Sequence, residues 1–182
     1  MAYVRTERNV KERQGISKME KMEKSDVKTK VSSRVDRYTY YLDIASAVCK
    51  RSTCLKRRYG CVIVKNDEII ATGYNGSPRG TTNCSDLGIC KRMDKPHNSG
   101  DYSDCHSVHA EQNAMLSASR NEMIGSTLYL VGEEFVDVDD DGSFVLDWCE
   151  IEDVEPCPIC MRMIMNAGIA KVVTRNTGVS LI

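Results

Sequence analysis

His109-Ala110-Glu111 and, further along, Pro156-Cys157-Pro158-Ile159-Cys160 decide how this chain is read. One imidazole and two thiols hold a zinc ion while leaving its fourth position open, and a carboxylate two residues from the imidazole is free to move protons. A structural zinc takes four protein ligands, so this donor set points to a catalytic centre. Cys-x-x-Cys alone fits a redox pair or half of a structural zinc knot, and His-x-Glu alone carries almost no information. The two together, each opening an expected helix and with a proline on both sides of Cys157, make a purely structural site improbable. Positive helix ends lower thiol pKa values and bound zinc lowers them further, so both sulfurs are expected as thiolates.

Working outward, Val108 to Asn121 reads as a helix, with Ala110, Ala114, Met115 and Ala118 on packing faces and His109 and Glu111 near its start. Pro158 to Gly168 reads as another, proline at its first turn and glycine at its stop. Upstream, Tyr38, Tyr41, Leu42, Ala45 and Val48 recur at spacings of three and four, which predicts a helix ending near Arg51. Residues 60–65 and 68–73 are short apolar runs around Asn66-Asp67, the pattern of a β-hairpin. Thr127 to Val131 and Ala170 to Thr174 complete the strands, and residues 175–182 carry no expected element. Alternating helices and strands of this kind build an α/β layer with helices against a mixed sheet.

The chain has 182 residues, enough for one domain with a real core, and a formal net charge of −1. That balance lacks the bulk basic field of a duplex-binding protein, so a small substrate is favoured and no nucleic acid is expected. The first residues have no apolar stretch behind their charges and no later run is long enough to span a bilayer, so the chain is expected to be cytoplasmic, without a membrane partner. Nine cysteines without a secretion signal point to metal ligation or free thiols before disulfides. Residues 1–35 form a charged arm, and residues 36–182 one domain. Between Tyr74 and Ser107 periodicity vanishes into a connection too long to be left unheld, and it carries Cys84, Cys90, His97, Cys105 and His106, suitable side chains for a second metal. Residues 132–155 are an acidic insertion in which Asp141-Gly142 between partly alternating runs favours a hairpin over a solvated loop.

Cys61-Val62-Ile63-Val64, the block from Ala71 through Gly73-Tyr74-Asn75-Gly76-Ser77-Pro78-Arg79 to Gly80, His109-Ala110-Glu111-Gln112-Asn113-Ala114 and Pro156-Cys157-Pro158-Ile159-Cys160 resemble, in that order, the deoxycytidylate (dCMP) deaminases of the cytidine deaminase-like superfamily. The resemblance spans roughly residues 36–175. It implies a three-layer α/β/α fold around a central mixed sheet, with the C-terminal elements shortened here. It also implies hydrolytic conversion of dCMP to dUMP and ammonia for thymidylate synthesis, in homo-oligomers, commonly hexamers, activated by dCTP and inhibited by dTTP. His109, Cys157 and Cys160 would bind the catalytic zinc and Glu111 would carry protons. Asn75 would approach the sugar or phosphate, although the same residues also suit a tight turn, and Ser77 and Arg79 could meet a phosphate. Cys54, Cys84, Cys90 and Cys105 would hold a second, structural zinc, with His106 or His97 as a substitute ligand. Cys49, Cys61 and Cys149 read as ordinary buried or half-buried thiols. Two other readings compete: a zinc deaminase of another base, nucleoside, modified nucleotide or RNA base, and a metal-stabilised nucleotide-binding regulator without turnover.

Overall fold

The computed structural model describes residues 34–97, 99, 103–140, 143–176 and 178–182, excepting the side chains of 137–140 and 143–146. The charged arm expected over 1–35 therefore lies almost wholly outside the described residues. The compact unit begins at Arg37 and runs to Ile182. In chain order its elements are α1 (Arg37–Cys49), β1 (Arg57–Lys65), β2 (Glu68–Tyr74), α2 (Cys84–Leu87), α3 (Ala110–Met115), α4 (Arg120–Met123), β3 (Thr127–Asp140), β4 (Ser143–Glu150), α5 (Pro158–Ala167), β5 (Lys171–Thr174) and β6 (Gly178–Leu181).

The strands form one mixed sheet in the order β2-β1-β3-β5-β6, with β4 paired to β3 off that path. Among the described strands only β3 and β5 run parallel. Because strand side chains alternate between faces, each strand serves two cores. Cys61, Ile63, Leu128, Leu130 and Val172 pack with Ala110, Ala114 and Ile164 from α3 and α5. Val62, Val64, Tyr129, Val131 and Val173 pack with Tyr41, Leu42, Ala45 and Cys49 of α1. The result is the expected three-layer α/β/α arrangement.

Two glycines set how closely those layers approach. A Cβ on Gly60 would strike the backbone of Ala45 and Cys49 in α1, and a Cβ on Gly73 would strike the backbone of Ala110 and Ala114 in α3. The helix that follows His109 thus rests directly on the β2 backbone. At the hairpin, Asn66 and Asp67 have φ of 51° and 68°, the left-handed pair that matches a two-residue turn to strand twist. Tyr41 Oη donates to Asp67 Oδ1 at 2.8 Å, so α1 fastens the turn.

Several expected boundaries move. The helix expected over 108–121 stops at Met115, and a separate turn, α4, starts behind Ser119. Ser119 Oγ accepts from the Glu122 N–H at 3.4 Å while the Glu122 carboxylate accepts from the Ser119 N–H at 2.8 Å, a reciprocal cap that begins a new helix where the pattern suggested continuation. The strand expected over 127–131 runs on to Asp140 and pairs with β4 from Glu133↔Glu150 to Asp140↔Ser143, so the acidic insertion is a hairpin built as an extension of the central strand. Residues 178–181, expected to be featureless, add β6 antiparallel to β5. Cys149 is exposed rather than buried, because β4 runs alongside the outer part of β3, whereas Cys49 and Cys61 are buried between layers.

Candidate active site

Helix ends bring the zinc-type donors together. His109 is the N-cap of α3, and Gln112 Oε1 accepts from the His109 N–H at 3.1 Å to close the first turn. Cys157 is the N-cap of α5 and Pro158 follows at the first helical position, where a missing N–H leaves nothing unsatisfied. The Cys160 N–H donates to Cys157 Sγ at 3.5 Å, which fixes both sulfurs on one side of the helix start. His109 Nδ1 lies 3.5 Å from Cys157 Sγ and 3.4 Å from Cys160 Sγ. Tetrahedral zinc with bonds of about 2.0–2.1 Å to nitrogen and about 2.3 Å to sulfur sets those atoms about 3.5 Å apart, so the donor set fits that ion. Among the described residues this is the one group of three or more such side chains whose ligand atoms lie within 4.8 Å of each other.

Glu111, in the first turn of α3, is buried, with 5% of its surface exposed. That burial raises its carboxyl above the ordinary range, although the backbone, the nearby His109 charge and a hydrogen bond from Cys160 act the other way. Without a metal, burial and, after it, the Glu111 charge raise the Cys160 thiol, and a cation held between the two sulfurs would act the other way.

His109, Glu111 and Cys157 line a cavity of about 610 Å³, within the range of small-molecule sites, with Cys160 buried behind them. Its walls include Asn75, Tyr59, His109, Glu111, Cys157 and Met161, and also Lys56, Arg57, Arg92 and His97.

Comparison with known proteins agrees with this geometry. The profile for the cytidine and deoxycytidylate deaminase zinc-binding region matches residues 35–176. The chain belongs to the cytidine and deoxycytidylate deaminase family. Within that family it is similar to the deoxycytidylate deaminase of Schizosaccharomyces pombe, 38% identical over 155 residues that cover 85% of this chain and 41% of that protein. Against the deoxycytidylate deaminase of Mycobacterium phage D29 it is 36% identical over 147 residues, 78% of this chain and 95% of the phage protein. The crystal structure of dCMP deaminase from the cyanophage S-TIM5 in apo form matches with a TM-score of 0.50 at 28% identity, covering 76% of this chain and 82% of that one. The chain thus spans about two fifths of the yeast relative and nearly all of the phage relative.

Beyond the core of this deaminase-family site, the sequence-expected residues separate. Asn75 lines the cavity, yet its side chain is engaged within the protein: Oδ1 accepts from the Ser52 hydroxyl and from the Tyr59 N–H, each at 2.7 Å, and Nδ2 donates to Arg57 O at 2.9 Å. Ser77 and Arg79 are not among the cavity's lining residues. Ser77 hydrogen-bonds the Cys84 thiol, and Arg79 donates to Ser117 Oγ at 3.2 Å. Burial, then the neighbouring Cys54, raise the Cys84 thiol, with smaller contributions from Cys90 and Cys105. Cys54, Cys90 and Cys105 are therefore electrostatic neighbours of Cys84, without the four converging as the catalytic donors do. His106 stands beside Cys105 in sequence, and His97 lines the catalytic cavity. Sequence reasoning missed Lys56, Arg57 and Arg92. The Lys56-Arg57-Arg58 run at the start of β1 was the available signal, but its relation to the loop is a long-range contact.

Proposed function

We propose that this chain catalyses the hydrolytic deamination of dCMP to dUMP and ammonia. The observation that carries the reading is the convergence of His109, Cys157 and Cys160 beside the buried Glu111 at one cavity, which His109, Glu111 and Cys157 line. The names of the related deaminases support dCMP as substrate. His109, Cys157 and Cys160 would hold zinc, which supplies a Lewis acid and lowers the pKa of water at its open position. Glu111 takes one proton from the attacking water and delivers it to the cytosine ring nitrogen beside C4; it then takes the proton of the new C4 hydroxyl and passes it to the amine as the C4–N bond breaks, so that water is consumed and ammonia and a C4 carbonyl are formed. A carboxyl raised by burial suits both halves of that shuttle.

The finer features follow the same family resemblance. The loop cysteines Cys54, Cys84, Cys90 and Cys105 hold a second, structural zinc, a reading supported by their clustering around Cys84. Asn75 meets the nucleotide through the cavity wall, and Ser77 and Arg79 serve an anion at the loop surface. The enzyme acts in the cytoplasm as a homo-oligomer, supplies dUMP for thymidylate synthesis, and responds to dCTP and dTTP. No helix among the described residues is long and apolar enough to cross a membrane.

Ammonia release measured on dCMP, CMP, deoxycytidine, cytosine and guanine, with and without dCTP, tests the reading. Preference for dCMP is expected, and its absence would return the chain to another zinc deaminase. Zinc-loaded protein that binds dCTP and deaminates none of them would be a regulator instead.

A further inference from the structure

Lys56 stands immediately before β1 and reaches across to the long loop. Its ammonium donates to the backbone carbonyl of Arg92 at 2.8 Å and to that of Lys95. Both carbonyls belong to one turn, in which the Lys95 N–H donates to Arg92 O at 3.2 Å. The Lys56 carbonyl in turn accepts from the Phe135 N–H at 3.3 Å, so the anchor is itself tied to the central strand β3. An ammonium offers three donors and no acceptor, which suits it to gathering carbonyls at the open end of a turn.

What this turn carries faces the catalytic cavity. Arg92, Pro96 and His97 all line it, and the Arg92 side chain, 7% exposed, donates to Ser99 Oγ at 2.8 Å. Arg57 lines the cavity too and pairs with Glu134 at 2.6 Å. Burial first, then the Arg57, Lys56 and Arg92 charges, hold the His97 imidazole below its ordinary value, with Glu134 opposing them. Cationic side chains therefore gather around His97, while the acidic lining residues Asp153 and Glu155 come from the segment after β4. A partly buried wall with this excess of positive charge favours an anionic ligand group.

We propose that Lys56 is a positioning residue for the anionic end of the substrate: by fixing the Arg92–Lys95 turn it sets Arg92 and His97 in the cavity wall as the surface that receives a phosphate. The inference rests on the nucleotide deamination proposed above. Lys56→Met and Lys56→Arg, prepared as zinc-loaded full chains, are compared with wild type on dCMP and on deoxycytidine, which lacks the phosphate. Lys56→Met should raise KM for dCMP about tenfold to a hundredfold, the range for losing hydrogen bonds to a charged group. It should leave kcat within a few-fold and KM for deoxycytidine unchanged, and Lys56→Arg should recover part of the loss. An unchanged KM for dCMP, or an equal rise for both substrates, overturns the proposal. Should Lys56→Met fail to load zinc, Arg92→Gln carries the same comparison with the same two outcomes. If wild type turns over no dCMP, the proposed function falls by itself, and limited proteolysis then judges the latch. Faster cleavage between residues 90 and 97 in Lys56→Met supports it, and an unchanged rate overturns it.

Discussion

Two sets of cysteine and histidine side chains in this chain behave differently, although their chemistry is alike. His109, Cys157 and Cys160 sit at helix starts that rest on a rigid sheet, and their donor atoms lie within 4.8 Å of each other. Cys54, Cys84, Cys90 and Cys105 lie on or beside a long connection whose only helix among the described residues is the four-residue α2, and they gather around Cys84 without reaching that closeness. The difference teaches that regular structure preorganises a metal site, whereas loop ligands need the metal to finish the arrangement.

The sharpest break between the two regions is a pair of substitutions. Cys160→Ser should remove zinc from the helix-borne site and abolish turnover. Cys84→Ser should remove only the loop's zinc, lowering the metal content from about two per chain to about one, as expected for one open and one closed site, while kcat on saturating substrate stays near wild type. Metal analysis beside steady-state kinetics checks both, and a single zinc in wild type would end the claim for the loop.

Within the helix-borne site, Glu111→Gln should lower kcat by about 10²–10⁴-fold, the usual contribution of a proton-transfer group, with zinc content unchanged. Equal loss of metal would make Glu111 a structural residue. Gly73→Val tests what holds that site in place, because any Cβ there meets the α3 backbone. It should destabilise the fold by about 1–3 kcal/mol or more and weaken zinc binding, read by urea unfolding and metal titration.

The smallest effect is in the metal-free protein. Because the folded carboxyl pKa of Glu111 is raised, the folded state holds its proton more tightly than the unfolded chain does. Its contribution to stability is therefore greatest below the ordinary carboxylate pKa and declines as pH rises through the raised value. Chelated Glu111→Gln should lack this decline, and unfolding curves from acid to neutral pH compare the two proteins directly.

The helix-borne site was legible because its residues coincide with local signals. Pro158 and Gly168 bracket α5, and His109 and Cys157 fall at caps, so a pattern of sequence already implied a place in space. The hairpin was legible for the same reason, Asn66-Asp67 being suited to its left-handed turn. Less was visible wherever two local signals competed. The alanine spacing favoured one helix from Val108 to Asn121, yet the Ser119 and Glu122 cap started another within that span. The basic wall of the cavity was invisible because Lys56 meets Arg92 across 36 positions of chain, a contact for which neither periodicity nor spacing offers a sign. Asn75 stood in a recognised block, but its backbone partners at Arg57 and Tyr59 emerge only when β1 and β2 are paired.

The pairing of β1 with β3, from Arg57↔Glu134 to Val64↔Thr127, has a consequence for how the chain reaches its native state. The middle of the sheet joins segments separated by the hairpin partner, the whole long loop and the helix that carries Glu111. Such a closure is entropically slow, because distant strands must meet before their contacts stabilise anything. Any tie between Cys54 and Cys105 would shorten that search, so metal on the loop would act first as a folding aid and only later as a brace for the finished site.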